Sequence, residues 1–233
     1  MYKQPDDTFL FSPSDLINFM GSEYVTWMDR FNWDYPGKAQ QVEPSETDNI
    51  LHQKGIANEA EFLQQLRHSG RDVCDVSQAA DRHAATIKAM TAGREVIYQA
   101  KLRDEQFAGY ADFLIRVEGT SKLGSYHYEP WDTKLALKPK PYVLIQLACY
   151  ADLLNATQGT LSKFVHVVLG DKTKKSYRTE DYLYFYRQLR QAFLEQQNTL
   201  TETIHQTLPA RKTLAVGPPM PKTLSRRPTI CAK

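Results

Sequence analysis

Three strand-like segments in a row, joined by very short links, most constrain what this chain can fold into. Residues 95–102 (EVIYQAKL), 107–118 (FAGYADFLIRVE) and 124–136 (GSYHYEPWDTKLA) carry the apolar and β-branched side chains typical of strands. The links between them, RDEQ and GTSKL, are short enough only for hairpins. The sequence therefore predicts three consecutive antiparallel strands in one sheet.

Helical segments lie on both sides of these strands. Residues 142–155 have helical spacing and are apolar nearly all round, which predicts a buried helix. A strand is predicted over 163–170 and a short one around Tyr177, followed by a long helix over 179–205. Strands in hairpins, then a helix and a further strand, indicate an α/β fold with a mixed sheet flanked by helices.

The N-terminal part of the chain predicts three further helices. Ser12 is a suitable cap for the first, whose apolar face runs to Trp27, and a loop is expected over 32–44. The third begins after Ser77 and stops at Gly93. The second spans residues 46–67, and its inner face is predicted to contain Ile50, Ile56, Ala60, Leu63 and Leu66.

The composition favours one globular domain with a tail. Of the 233 residues, 42% are hydrophobic and 24% charged, as is usual in globular proteins, which excludes a disordered or collagen-like chain. From Leu208 onward the chain is rich in Pro and basic residues and has no periodicity. We therefore expect a domain over 1–207 and a tail over 208–233.

Membrane insertion and a disulfide framework are not expected. No stretch approaches the roughly 18 apolar residues of a membrane span, and the N-terminus has no long apolar segment typical of a signal peptide. The three cysteines, Cys74, Cys149 and Cys231, are far apart and odd in number. These observations predict a cytoplasmic protein with no membrane partner.

One constellation in the strands suggests chemistry. Asp112 lies within an apolar strand, where an unpartnered carboxylate is costly, and Asp132 and Lys134 lie two apart in the next strand. If the hairpin brings Asp112 and Asp132 together, the two carboxylates and the Thr133 carbonyl form a hard oxygen site for Mg²⁺ or Mn²⁺. Lys134 would then orient a water or stabilise charge on a phosphate, as phosphodiester hydrolysis requires.

Two polar residues on the following helix complete the pattern. Gln146 and Tyr150 are four apart and so share one face of the helix. We expect both to point back toward the strand ends, where they would hold Lys134 or contact a phosphate. The alternative is that they are ordinary polar groups at the edge of the core.

Taken in order, GYADFL, WDTK and QLACY resemble the three-part signature of RecB-like nucleases in the PD-(D/E)XK superfamily, whose nuclease domains are often fused to a helicase. The resemblance runs from about residue 12 to 205. It implies a restriction-endonuclease-like αβββαβ core with extra N-terminal helices. It also implies that Asp112 and Asp132 bind metal, that Lys134 is catalytic and that Gln146 and Tyr150 are the accessory pair of the RecB-like branch.

The resemblance also implies an acid on an upstream helix, and Glu59 is the best match for a further metal ligand. Relatives carry a His-Glu pair there, whereas this chain has Asn58 before Glu59. Many relatives hold an iron–sulfur cluster with one early and three late cysteines. Here the early position is Ser22 and only Cys231 is late, so no cluster is predicted.

The resulting prediction is a Mg²⁺- or Mn²⁺-dependent deoxyribonuclease, an exonuclease by resemblance, acting in DNA repair, recombination or mobile-element defence. Its expected partners are single-stranded DNA or DNA ends, and a helicase or other repair protein. Two alternatives stay open: a catalytically impaired nucleic-acid-binding or interaction module on the same fold, and a chance motif match in an unrelated α/β enzyme. The Lys-rich turn containing Lys172 would grip phosphates or be a solvated charge run, and His166 is expected to be a satisfied strand histidine.

Overall fold

A six-stranded mixed sheet with helices on both faces forms the protein. The computed structural model describes residues 1–4, 6, 8–37 and 45–207, with side chains described up to residue 200. In chain order the elements are β1 (Tyr2–Lys3), β2 (Phe9–Leu10), α1 (Pro13–Gly21), α2 (Glu23–Asp34), α3 (Glu46–His68), β3 (Val73–Asp75), α4 (Arg82–Thr91), β4 (Val96–Arg103), β5 (Ala108–Ser121), β6 (Gly124–Thr133), α5 (Pro141–Gln158), β7 (Phe164–Val168), β8 (Lys174–Arg178) and α6 (Glu180–Thr207). The predicted tail over 208–233 lies outside the described residues.

The strands of the main sheet follow one another in chain order from β3 to β8. β4, β5 and β6 pair antiparallel through the two short links, as the sequence predicts. β3 is parallel to β4 and β7 is parallel to β6, while β8 is antiparallel to β7. The predicted α/β class, with a mixed sheet flanked by helices, is therefore confirmed.

The two faces of the sheet are covered by different helices. On one face α5 is buried along most of its length, with Leu147 and Leu153 fully buried, as the predicted apolar helix requires. On the other face the second half of α3 packs through Phe62 against Phe113 of β5. Phe113 and its neighbour Leu114 belong to the two different clusters, because successive strand residues point to opposite faces.

The single N-terminal helix predicted from Ser12 to Trp27 is wrong, because the chain forms two helices there. Ser22 adopts an extended conformation, and its amide donates to the carbonyl of Asn18 and ends α1. α2 then runs to Asp34, two residues beyond the predicted start of the loop at residue 32. Trp27 is 38% exposed and does not lie on a buried face.

The predicted inner face of α3 is correct only in its second half. Leu63 and Leu66 are buried, whereas Ile50, Ile56 and Ala60 are exposed. The residues buried just before Phe62 are instead the polar Asn58 and Glu59. The buried face of α3 begins where the helix meets the sheet. The apolar spacing in the first half of the helix does not indicate where that contact begins.

Some element boundaries also differ from the predictions, and one strand is not predicted at all. α4 begins at Arg82, after an N-cap from Asp81, and not directly after Ser77. β6 ends at Thr133, three residues before the predicted strand end at residue 136. The sequence does not predict β3, because three residues are too few to show a period.

Among the helices that the structure describes, none is both long enough and apolar enough to span a bilayer.

Candidate active site at a fork in the sheet

The sheet forks at the two predicted metal-binding aspartates. β5 and β6 are paired from Ser121 and Gly124 as far as Phe113 and Trp131. Beyond that pair β5 stays with β4, where Ala111 faces Ala100, and β6 stays with β7. Asp112 and Asp132 are the next residues on the two diverging strands, so their carboxyl groups lie at the point where a space opens within the sheet.

The fork brings the predicted residues of β6 next to Asp112. The amide of Thr133 lies 3.5 Å from Oδ2 of Asp112, a long hydrogen bond that crosses the fork. The ammonium of Lys134 lies 2.6 Å from Oδ2 of Asp132. Asp132 and Thr133 are buried, whereas Asp112 and Lys134 are partly exposed, so the site is open to solvent at these two side chains.

The negative charges of the site are only partly compensated by Lys134. Burial raises the pKa of Asp112 well above its usual range, and the charges of Asp132 and Glu59 raise it further. The ammonium of Lys134 opposes this shift without cancelling it. Asp112 therefore binds a proton more readily than an isolated aspartate does.

Lys134 is a stable cation in this site. Burial lowers the pKa of its amine, but the charges of Asp132 and Asp112 outweigh that effect and leave the pKa above its ordinary value. An amine with a raised pKa does not accept protons near neutral pH. Lys134 is thus suited to donate hydrogen bonds to a water or a phosphate oxygen, and not to act as a general base.

Glu59 is held beside the aspartate pair by two donors from one strand. Oε1 of Glu59 accepts the hydroxyl of Tyr98 at 2.9 Å and the side-chain amide of Gln99 at 2.5 Å. Successive residues of a regular strand point to opposite faces. Gln99 reaches the same acceptor as Tyr98 because its φ is +56°, a left-handed conformation that is uncommon for glutamine.

Gln99 is a site residue that the sequence does not reveal. Left-handed backbone is usually signalled by glycine or asparagine, and glutamine in a strand-like segment carries no such signal. Non-glycine residues in this conformation cost free energy and occur most often where function requires them. Gln99 lies on β4 directly across from Asp112 on β5, at the register position between the pairs Tyr98–Phe113 and Ala100–Ala111.

Gln146 and Tyr150 lie on α5, and through the Tyr150 hydroxyl they hold the backbone of β5. The hydroxyl of Tyr150 donates to the carbonyl of Tyr110 at 2.7 Å, and the amide of Gln146 lies 3.4 Å from that hydroxyl. Tyr150 is almost fully buried, and burial raises the pKa of its hydroxyl well above the ordinary value. The pair therefore anchors β5 two residues before Asp112, and neither side chain bonds Lys134.

Asn58, where the resemblance implies histidine, is bonded to a lysine from the other side of the fork. Lys172, in the turn between β7 and β8, places its ammonium 2.8 Å from Oδ1 of Asn58 and 2.5 Å from Glu61. Lys172 also has a left-handed φ of +66°. The turn is packed tightly against the segment after Lys134, since a Cβ on Gly170 would lie 2.2 Å from the carbonyl oxygen of Leu135.

The donor chemistry of the fork fits a divalent cation. Oδ2 of Asp132 is buried and receives no well-directed hydrogen bond from the described residues, although the Lys134 ammonium is close. Mg²⁺ is commonly held by one or two carboxylates and several waters, so the pair of Asp112 and Asp132 suffices. In the described part of the chain no three acidic, histidine or cysteine side chains form one metal-binding group. The role of Glu59 as a third ligand stays a prediction.

His166 is a satisfied strand histidine, as the sequence predicts. Its Nε2 lies 2.7 Å from Glu129, its Nδ1 lies 2.8 Å from the hydroxyl of Ser176, and its ring stacks on Trp131 with centroids 4.1 Å apart. Cys149 is fully buried in α5, whereas Cys231 lies outside the described residues.

Comparison with protein-family models found no match to this chain, and comparison with curated proteins found no relative.

Proposed function

We propose that this chain is a Mg²⁺- or Mn²⁺-dependent deoxyribonuclease with a restriction-endonuclease-like, RecB-like fold. The observation that carries the proposal is the fork in the sheet. It places Asp112 beside Asp132 and leaves the Lys134 ammonium 2.6 Å from the second carboxylate. Asp112, Asp132 and Lys134 thus form one charged cluster of the kind that the proposed chemistry requires.

Asp112, Asp132 and the carbonyl of Thr133 would hold the metal, with Glu59 as a further carboxylate at its side. When bound, Mg²⁺ or Mn²⁺ would lower the pKa of a coordinated water and offset negative charge on the phosphate. Asp112 would hold the cation only in its deprotonated form, and its pKa is raised. Metal affinity should therefore weaken as the pH falls toward the raised pKa of Asp112.

Lys134 would act on the phosphate. Its ammonium is partly exposed and lies 2.6 Å from Asp132, so its N–H groups can donate to the attacking water or to a phosphate oxygen. Preorganised donors of this kind stabilise the charge that develops in the transition state. Tyr150 and Gln146 would position the strand that carries Asp112 and would not contact the DNA.

The experiment is degradation of end-labelled single- and double-stranded DNA in Mn²⁺, Mg²⁺ or EDTA. We expect metal-dependent cutting by the unaltered chain and its loss in Lys134→Ala. Lys163→Ala is the matched control, because Lys163 is exposed at the start of β7, at the opposite end of the sheet from Asp132. Product lengths distinguish exonuclease from endonuclease action.

A catalytically impaired DNA-binding module is a second candidate, and one observation favours it. The position at which the resemblance implies a metal-binding histidine is Asn58, and its side-chain oxygen is bonded to the ammonium of Lys172. A binding module would bind DNA in a salt-sensitive way that survives Lys134→Ala, and it would cut with neither metal. Single-stranded DNA or DNA ends as substrate, and a helicase or other repair protein as partner, belong to the nuclease proposal.

A further inference from the structure

A basic cleft adjoins the fork on the side of β4 and α4. It has a volume of about 820 Å³, and its chemistry comes from Arg82, Lys101, Arg103 and Tyr110. Lys101 and Tyr110 are direct cross-strand partners, so their side chains share one face of the sheet. Arg103 follows Lys101 by two residues and lies on that same face. We refer to these four residues as the basic cleft.

The basic cleft adjoins the carboxylates through Gln99. Tyr110 precedes Asp112 by two residues on β5, a distance of about 7 Å along a strand. Gln99 lines the cleft and also donates to Glu59, so it stands at the boundary between the cleft and the carboxylates. From Gln99 to Arg103 the floor extends about 13 Å, which is about four nucleotide steps of a stacked strand at ~3.4 Å each.

The cations of the basic cleft are available for an anion. Within the described residues neither Arg82, Lys101 nor Arg103 forms a salt bridge, and the whole chain has a formal net charge of only +2. Arg82 and Lys101 both lie over the ring of Tyr110, at 5.1 and 5.7 Å from its centroid. The one acid in the lining, Asp81, accepts the amide of Ala84 as the N-cap of α4.

The walls of the basic cleft are fixed to each other before any ligand binds. The hydroxyl of Thr86, fully buried on α4, accepts the amide of Lys101 at 3.0 Å. The ring of His83, also on α4, lies 3.1 Å from the carbonyl of Lys101. Because α4 is tied to β4 at this residue, the backbone segments that carry Arg82 and Lys101 are fixed relative to each other before binding.

We propose that the basic cleft binds the phosphodiester backbone of one nucleic-acid strand next to the carboxylate pair. This proposal rests on the proposed function, since it identifies the path by which a strand reaches Asp112. The three cations contact successive phosphates, Tyr110 supports two of those cations, and Gln99 marks the end of the path at the reacting phosphate. The ligand is an extended polyanion, not an isolated phosphate group.

The test measures binding without cutting. A fluorescent twelve-residue oligodeoxythymidine is titrated in EDTA at several salt concentrations, with anisotropy as the signal, against the full chain and Arg82→Gln/Lys101→Gln/Arg103→Gln. The matched control removes three lysines away from the cleft, as Lys88→Gln/Lys122→Gln/Lys163→Gln. Far-UV circular dichroism checks folding, and Arg103→Gln alone, at an exposed position, provides a variant that leaves the packing of α4 untouched.

We expect the cleft variant to bind about tenfold more weakly at 100 mM salt, and the slope of log K against log salt to fall by about 2, at ~0.7 for each phosphate that is no longer neutralised. Arg103→Gln should lower the slope by about 0.7, and the control variant should leave affinity and slope close to those of the full chain. Equal decreases in the control variant, or no change of slope in the cleft variants, would overturn the proposal.

Two further outcomes separate this proposal from the proposed function and from a simpler ligand. If the full chain binds through the cleft in EDTA but does not cut with Mn²⁺ or Mg²⁺, the cleft stands and the nuclease proposal fails. If the chain cuts while the cleft variant binds and cuts normally, the reverse holds. Inorganic phosphate and thymidine monophosphate are tested as competitors at the same phosphate concentration as the oligonucleotide. Competition as strong as that by the oligonucleotide would show that the cleft binds a single phosphate group, and would contradict the binding of an extended strand.

Discussion

Replacing Asp112 with asparagine should stabilise the metal-free protein while abolishing its proposed activity. Asp112 is partly buried beside Asp132 and Glu59, and its pKa is raised well above that of an exposed aspartate. Keeping it ionised in the folded state therefore costs free energy that the unfolded chain does not bear. Asparagine removes that charge, can accept the Thr133 amide and can donate to Asp132.

The size of the effect follows from linkage. Each unit by which the pKa of Asp112 is raised corresponds to about 1.4 kcal/mol of unfolding free energy at high pH. Replacing a buried ion pair with well-packed apolar residues of similar volume is often neutral or stabilises a protein by about 1–4 kcal/mol. We therefore expect Asp112→Asn to raise the free energy of unfolding by about 1–3 kcal/mol at pH 8 in EDTA.

The pH dependence has a definite sign. A carboxyl whose folded pKa is raised adds its cost as the pH rises through the interval from the unfolded pKa, near 3.9, to the raised folded value. Below that interval both states are protonated and the cost vanishes. The advantage of Asp112→Asn should therefore shrink as the pH falls from 8 toward 4, and saturating Mg²⁺ should stabilise the unaltered chain more than the variant.

The assay is urea unfolding followed by tryptophan fluorescence, with Asp152→Asn as a control. Asp152 is also a partly buried carboxylate, but it is paired with Arg187 and Arg190, so its loss should destabilise the protein. The reasoning is refuted if Asp112→Asn lowers stability by the same amount at pH 5 and pH 8. A constant decrease would mean that packing, and not charge, dominates at this position.

Three further substitutions test other parts of the site. Gln99→Gly should change the free energy of unfolding by no more than about 1 kcal/mol, because glycine adopts the left-handed backbone without strain. DNA cutting should fall about tenfold, because the variant lacks the side-chain donor to Glu59. Cutting equal to that of the unaltered chain would contradict this. Tyr150→Phe should lower the free energy of urea unfolding by about 1–2 kcal/mol, because it removes the hydroxyl donor from a buried carbonyl. The double variant Asn58→His/Lys172→Met should bind Mn²⁺ about tenfold more tightly in calorimetry. Asn58→His alone should not, because the Lys172 ammonium opposes a bound cation. Equally tight binding by the single variant would argue against this.

Much of the central sheet could be predicted because its links leave few choices. Short connections force β4, β5 and β6 into hairpins, and the hairpin between β5 and β6 carries Asp112 and Asp132 to neighbouring positions. The apolar helix α5 could be predicted because it is buried on nearly every side. In both cases local pattern and tertiary environment impose the same requirement.

The fork itself could not be predicted from the sequence. Nothing in the residues around Phe113 indicates that β5 leaves β6 at that point, because strand pairing depends on partners distant in the chain. The left-handed conformation of Gln99 is equally invisible, since it accompanies the contact with Glu59 on α3. Both features arise from tertiary contacts that compete with the ordinary geometry of a strand.

The polar face of α3 shows a different limit. Ile50 and Ile56 obey helical spacing and are nevertheless exposed, while Asn58 and Glu59 are buried against the sheet. Apolar periodicity identifies the buried face of a helix only where the core is apolar. At a charged site the buried residues are polar, so a pattern search points away from the functional turn of the helix.

The proposed nuclease site depends on Asp112 and Asp132 together holding one divalent cation at the fork. A Mn²⁺ titration of the DNA-free protein, followed by electron paramagnetic resonance, tests this directly with the unaltered chain and Asp132→Asn side by side. We expect one bound Mn²⁺ per chain that Mg²⁺ displaces and that is absent from the variant. Equal Mn²⁺ binding by both proteins, or binding by neither, would contradict the proposed site.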